Sequence, residues 1–318
     1  MSIKLPVALV AAAAALAVPS AASAQAPTCA TQGAVGTAYA TGVNCRTLIH
    51  DGDQRRFEVY VPATVGEHPP VVFMFHGSSG TGEQFLRMSG WRQEADRRGV
   101  IAVFPTGERY LITDTGRMET KWADFNLSED TADPPADDVG FVDDMLADLE
   151  AELPVDTHRI YASGFSNGAG FAARLAVDRA DTFAAVAFSG GGLNEVHTPS
   201  RPVPTYSTVG TLDDRVLAQT DPPLTELPLD PVAILTTPRL ESYISVALQT
   251  LGLDEGLYGV MAQPHSTSFR WPATGNEPVF RFAILDGVTH EYPNGTNNPN
   301  GFTAASEFAD FFAEHRLP

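Results

Sequence analysis

The segment Gly164-Phe165-Ser166-Asn167-Gly168 constrains this chain more than any other. An apolar run, Ile160-Tyr161-Ala162, leads into it, and a helix-like stretch over 169–179 follows. Strand, sharp turn and helix in that order lift a serine hydroxyl above the end of a sheet. The turn is crowded, and glycines at 164 and 168 remove the Cβ atoms that would collide there. Ser166 then stands at the N-terminus of the following helix, where backbone N–H groups and the helix dipole favour developing negative charge. A serine in an ordinary turn is the alternative, and the flanking strand and helix patterns argue against it.

A nucleophilic serine needs a base and a group to orient that base, and this supersecondary unit supplies them downstream, acid first and histidine last. Four histidines follow Ser166: His197, His265, His290 and His315. His197 and His265 stand beside prolines and read as loop residues. His315 ends an amphipathic helix predicted over 304–315 and reads as a solvated residue of its last turn. His290 differs, because it follows a strand pattern over 279–285 and precedes a loop rich in Asn, Gly and Pro. A second buried strand, predicted over 203–209, runs into Gly210-Thr211-Leu212-Asp213-Asp214. Either Asp213 or Asp214 could hold the imidazole; adjacent turn residues point apart, so only one can.

In these segments and others the chain resembles secreted α/β-hydrolases of the polyhydroxybutyrate depolymerase and feruloyl esterase-like family. The resemblance runs from about Arg55 to Pro318. It is carried by residues 56–62, Phe75-His76-Gly77-Ser78, residues 137–142, Gly164 to Gly168, residues 183–187, Val288 to Gly295 and residues 311–315. It implies an α/β fold of the α/β-hydrolase type, a mostly parallel central sheet flanked by helices. The family's acid motif, roughly His-Gly-Thr-x-Asp-x-x-Val, falls on Asp213. The implied triad is Ser166, Asp213 and His290. Three departures border the site: Val209 replaces the usual histidine, Thr289 and Glu291-Tyr292 replace Gly and Thr-Trp, and Gly168-Ala169 replaces Gly-Gly.

Two backbone amides are expected to form the oxyanion hole. One belongs to Asn167, the residue after the nucleophile. The resemblance assigns the other to Ser78, in the loop after a predicted strand at 71–75. A plain strand-to-helix loop with capping serines is the competing reading there. Trp122, in a long loop between a strand at 100–104 and a helix near 139–153, resembles an aromatic site-lining segment of the family. It reads equally well as a packing anchor. Tyr292, just past His290, is expected to border the pocket, whereas Trp91 and Trp271 read as packing residues. Residues 221–238 hold Pro222, Pro223, Pro228, Pro231 and Pro238 and read as a long rigid loop, a partial lid, before a helix over 238–251.

The N-terminus begins with a short cationic region, continues with an apolar stretch over 5–18 and ends in Ala22-Ser23-Ala24. This is a signal-peptide pattern over 1–24, too short in its apolar part to be a membrane span. Residues 25–318 are then expected as a single catalytic domain in a secreted protein, extracellular or periplasmic, acting as a monomer. The chain's end leaves no room for a separate polymer-binding domain. Cys29 and Cys45 are the only cysteines. In an oxidising compartment they are expected to pair, for about 3 kcal/mol of loop-entropy stabilisation at best; two free thiols are the alternative. No metal set and no cofactor is expected. With 20 Lys+Arg against 39 Asp+Glu, the net charge of −19 argues against nucleic acid and anionic membranes as partners.

The resemblance implies a serine carboxylic-ester hydrolase working through an acyl-enzyme. Its ester substrate, small-molecule or polymeric, is a polyester of polyhydroxyalkanoate or other type, or a feruloyl or other aryl ester. An acyltransferase would use the same triad, a peptidase is a further reading, and an inert secreted binding protein of the same fold would lack a triad group. None is missing here.

Overall fold

In the computed structural model, residues 29–272 and 279–318 are described. The expected signal peptide therefore lies outside the described residues. In chain order the strands are β1 (Cys29–Ala34), β2 (Gly42–His50), β3 (Asp53–Val61), β4 (Val71–Phe75), β5 (Ile101–Pro105), β6 (Glu108–Ile112), β7 (Arg117–Lys121), β8 (Ile160–Phe165), β9 (Ala185–Ser189), β10 (Thr205–Leu212), β11 (Gly259–Gln263), β12 (Ser266–Trp271) and β13 (Phe280–Thr289). Eleven of them form one sheet in the order β1-β2-β3-β5-β4-β8-β9-β10-β13-β12-β11, and β6 and β7 form a separate hairpin. The centre, from β5 through β13, is parallel, and β3, β12 and β11 join antiparallel.

The central strands are apolar throughout because both faces of a parallel sheet are covered. In β4, Val71, Phe73 and Phe75 point into one core and Val72 and Met74 into the other. The first core packs under α4 (Asp138–Glu152) and α5 (Asn167–Asp178), and the second under α2 (Trp91–Arg98) and α9 (Ala304–Ala313). A third core forms at the β13 end under α8 (Pro238–Leu251). Leu240, Ile244, Leu248 and Leu251 fall on one helical face and meet Phe269, Trp271, Phe280 and Phe282. Each such side chain contributes roughly 2 kcal/mol by leaving water. Pro238 opens α8, and Gly252, at φ 66°, closes it in the left-handed conformation glycine accepts without strain.

This is the α/β-hydrolase arrangement, with predicted strands and helices displaced by a few residues at most. Three expectations need correction or completion. The segment between β5 and α4 is not a plain loop: it folds the β6–β7 hairpin and a short helix, α3 (Leu127–Asp130). The stretch over 221–238 includes α7 (Pro231–Thr236), capped by Asp230. His315 is buried rather than solvated; its ring lies edge-on to Phe311 and its carbonyl accepts the Tyr161 hydroxyl. Trp91 and Trp271 are packing residues, each 1% exposed. Cys45 is disulfide-bonded, while the side chain of Cys29 lies outside those described. Among the described residues no helix is long and apolar enough to cross a membrane.

Candidate active site

The chain leaves β8 at Phe165, turns at Ser166 with φ 53° and ψ −121°, and enters α5 at Asn167. That conformation is strained for a residue with a side chain and is held by its surroundings. The Ser166 amide donates to the Ser189 carbonyl at 3.0 Å, and the Ser166 carbonyl accepts the Ala169 amide at 2.9 Å. A Cβ on Gly164 would overlap the Gly168 carbonyl, and one on Gly168 would overlap the carbonyls of Phe75 and His76. Both glycines are therefore steric requirements of the turn.

Two neighbouring strands bring the partners. Parallel pairing of β10 with β13 places Leu212 opposite Thr289, so the next residues, Asp213 and His290, emerge side by side. Asp213 caps α6 (Asp214–Leu217): its Oδ1 accepts the amides of Arg215 at 3.0 Å and Val216 at 3.1 Å. His290 Nδ1 lies 2.9 and 3.0 Å from the two Asp213 oxygens, and its Nε2 lies 2.9 Å from Ser166 Oγ. Against a carboxylate, Nδ1 carries the proton, which leaves Nε2 as the acceptor facing the serine hydroxyl. Asp213 is 1% exposed, whereas Asp214 is exposed and makes no bond to the imidazole.

A cavity of about 310 Å³ opens beside Ser166, and Ser78, Asn167 and the run Gly190 to Gly192 line it. Among the described residues no hydrogen bond occupies the Ser78 or Asn167 amide. The Ser78 loop is held from behind. Ser79, at φ 62°, donates its amide to the Thr120 carbonyl at 2.8 Å. His76 is fully buried; its Nδ1 donates to the Gly77 carbonyl at 2.7 Å and its Nε2 accepts the Gly107 amide at 2.9 Å. Burial pushes its pKa down to about 4, which keeps it neutral and able to accept that amide.

Of the two readings open for Trp122 the packing anchor holds, and Tyr292 corrects the expectation that it borders the pocket. Trp122 is 0% exposed, its ring packs on Phe75 and Phe171, and its Nε1 donates to the His76 carbonyl at 3.0 Å. It supports the Ser78 loop from inside and does not line the cavity. Tyr292 is 1% exposed, its ring packed against Phe85 and Phe165, and Phe165 in turn meets the His290 ring at 5.0 Å. Aromatic side chains near a site lose most free energy when left in water, so without a fixed ligand they pack inward.

The side chain of Asn167 was missed. Its Oδ1 accepts the Trp122 amide at 2.7 Å, and its Nδ2 donates to the Trp122 carbonyl and to Asp124 Oδ2, each at 3.0 Å. An amide both donates and accepts, and that was the one available signal for such a clamp at 167. Burial raises the Asp124 pKa, against the lowering effect of the Asn167 bond. Away from the serine, among the described residues, His50, Asp51 and Asp137 are the group close enough to share a metal ion, and the two aspartates are exposed.

Residues 56–211 match the family described as esterase PHB depolymerase. A bifunctional acetylxylan esterase/xylanase of Neocallimastix patriciarum is 27% identical over 166 residues, which are 51% of this chain and 22% of that protein. Feruloyl esterase D of Neurospora crassa is 26% identical over 171 residues, 51% of this chain and 54% of that one. The chain thus spans about half or less of the length of these curated relatives. The solved acetyl xylan esterase from Aspergillus awamori superposes with a TM-score of 0.54 at 14% identity, over 85% of this chain and 99% of that one, a likeness that speaks for the fold.

Proposed function

We propose, for a chain whose residues 56–211 match the esterase PHB depolymerase family, a serine carboxylic-ester hydrolase with Ser166 as nucleophile, His290 as base and Asp213 as its orienter. The observation that carries this reading is the continuous chain from Ser166 Oγ through His290 to a buried Asp213, beside two unoccupied amides. His290 Nε2 takes the hydroxyl proton as Oγ attacks the ester carbonyl. The Asn167 and Ser78 amides receive the oxyanion, each such donor being worth about 3 kcal/mol of barrier. The imidazolium, steadied by Asp213, protonates the leaving alcohol. Water, deprotonated by the same imidazole, then releases the acid from the acyl-enzyme.

The substrate belongs to the hydroxyalkanoate oligoesters or the aryl-acid esters, and residues 1–24 direct the protein to export. Burial of Trp122 withdraws the aromatic site-lining residue that the resemblance implied. The deciding experiment is turnover of the purified protein on short 4-nitrophenyl esters, methyl ferulate, acetylated xylan and aliphatic polyesters, with Ser166→Ala as control. Hydrolysis that survives in the control, or no hydrolysis of any ester, would sink the reading.

A further inference from the structure

Half of the 20 Lys and Arg of this acidic chain have anionic partners among the described residues. Arg55 bonds Asp138 at 2.6 Å, Arg98 bonds Glu94 at 2.8 Å and Asp310 at 2.7 Å, Arg174 bonds Asp178 at 2.8 Å, and Arg179 bonds Asp143 at 2.7 Å. Several guanidiniums, Arg109, Arg117 and Arg316 among them, have no ion pair among the described residues, and two more of that kind line the cavity at Ser166: Arg215 and Arg239. Among the described residues neither has an ion pair or a side-chain hydrogen bond.

Their placement ties them to the reacting centre. Arg215 lies two residues after Asp213, and its own backbone amide bonds the Asp213 carboxylate. Arg239 is the second residue of α8 and lies close enough to Tyr243 to act on it electrostatically. The Tyr243 hydroxyl donates to the Gly191 carbonyl at 2.5 Å, and a Cβ on Gly191 would overlap the Ser166 carbonyl. The cavity's two carboxylates are already engaged. Asp130 pairs with Lys121, and Asp124 accepts the Asn167 side-chain amide and the Asn126 amide. In a protein of net charge −19, this lining holds Lys121, Arg215 and Arg239 against Asp124 and Asp130, and of its cations only the two arginines have no ion pair among the described residues.

We propose that the substrate carries a free carboxylate on its acyl limb, bound by Arg215 and Arg239; the proposal rests on the ester-hydrolase reading above. A guanidinium fork matches a carboxylate in geometry and charge. The acyl limb follows from His290, which lies outside the cavity lining. The alcohol must leave beside the imidazole that protonates it, so the cavity receives the other limb. The ligand class is the monoester of a dicarboxylic acid, aryl or aliphatic, or an oligoester ending in such a diacid unit; a hydroxyalkanoate oligoester carries its free carboxyl on the departing alcohol limb instead.

The test compares mono(4-nitrophenyl) glutarate with its methyl-capped form, 4-nitrophenyl methyl glutarate. These share a chain and differ in one charge. Succinate and adipate homologues read the distance from Ser166 to the arginines. The full chain is assayed alongside Arg215→Gln, Arg239→Gln and the double variant. Ser166→Ala supplies the background from intramolecular attack by the free carboxylate. The expected result is a kcat/KM preference for the anionic ester, carried by KM. That preference falls on the order of tenfold in the double variant, as two partly exposed charge pairs would give. It also weakens between about 0.05 and 0.5 M salt. Equal or better turnover of the methyl-capped ester, with the ratio unchanged in the variants, overturns the proposal and leaves the esterase reading standing. If no ester is hydrolysed, the esterase reading falls. Calorimetric binding of monomethyl glutarate to the Ser166→Ala chain then decides: binding lost on adding both arginine substitutions keeps the anion site, and absence of binding overturns it.

Discussion

The turn at Ser166 and the segment between β5 and α4 meet at the same cavity, yet they are built by opposite routes. The turn is made mainly by neighbours in sequence, with Phe75, His76 and Ser189 closing around it. Two glycines, a strand and a helix leave the backbone one way through, and the strain at Ser166 is held by bonds to Ser189 and Ala169. The segment between β5 and α4 has no comparable local logic. Trp122 is fixed to Asn167, 45 positions away, and to His76, 46 positions away. Ser79 is fixed through Thr120, and Gly107 through His76. The reacting group is thus specified by a contiguous motif, and the placement of the groups around it by long-range hydrogen bonds.

The comparison is tested first at the motif. Ser166→Ala is expected to lower kcat by roughly 10⁶-fold without unfolding the protein, and adding His290→Ala should cost little more, because triad members act as a unit. Asp213→Asn is expected to cost about 10⁴-fold through the wrong tautomer. Asp214→Asn should leave kcat near the parent value. Damage from Asp214→Asn instead would move the orienter and break the assignment.

Gly164→Ala should cost about 3 kcal/mol or more of stability, because the new methyl group meets the Gly168 carbonyl, a backbone atom that cannot step aside. Urea midpoints measure it, and an unchanged midpoint would show that the turn is not sterically determined.

Loosening the segment should give a smaller and different effect. Asn167→Ala and Asp124→Asn are each expected to lower kcat by about 10- to 100-fold, with KM little changed, as the oxyanion donors drift by a fraction of an ångström. Trp122→Phe keeps the ring and loses the bond to the His76 carbonyl, so it should act in the same direction and more weakly on small and large esters alike. A rise in KM confined to large esters would make Trp122 a recognition residue after all.

The smallest expected effect is a pH dependence of stability. Unfolding returns His76 from about 4 to its ordinary 6.5, so the stability tied to neutral His76 is complete above pH 6.5 and is lost as pH falls toward about 4. Burial of Glu58 raises its pKa to about 7, so its contribution has the opposite sign: complete below about 4.5 and lost as pH rises through 7. Between about pH 4.5 and 6.5 the two oppose each other. Glu58→Gln should therefore steepen the acid-side loss, by at most about 1.4 kcal/mol per pH unit. Urea midpoints at about pH 5 and 7 measure the slope. Equal slopes in the parent and the variant would mean that the two groups do not control it.

Much of this site was legible in the sequence. The Ser166 turn, the strand before His290 and the buried strand leading to Asp213 leave local signatures, because burial on both faces shows as unbroken apolar runs. Choosing Asp213 over Asp214 needed the family pattern; the register Leu212 to Thr289 and the capping bonds to Arg215 and Val216 give the physical reason for that choice. The β6–β7 hairpin was not legible, since Glu108 to Lys121 mixes charged and polar residues with only Tyr110 and Ile112 as buried apolar anchors.

By itself the sequence determined the order of the central strands and the helices that cover them, the serine turn and the strand ends from which Asp213 and His290 emerge. These follow from the sterics of adjacent residues and from the alternation of buried side chains along each strand. Only the tertiary structure decided that Trp122 and Tyr292 turn inward, that His315 is buried, and that Arg215 and Arg239 converge on one cavity without an ion pair among the described residues. Those facts depend on distances between segments far apart in the chain, which packing fixes and no local pattern encodes.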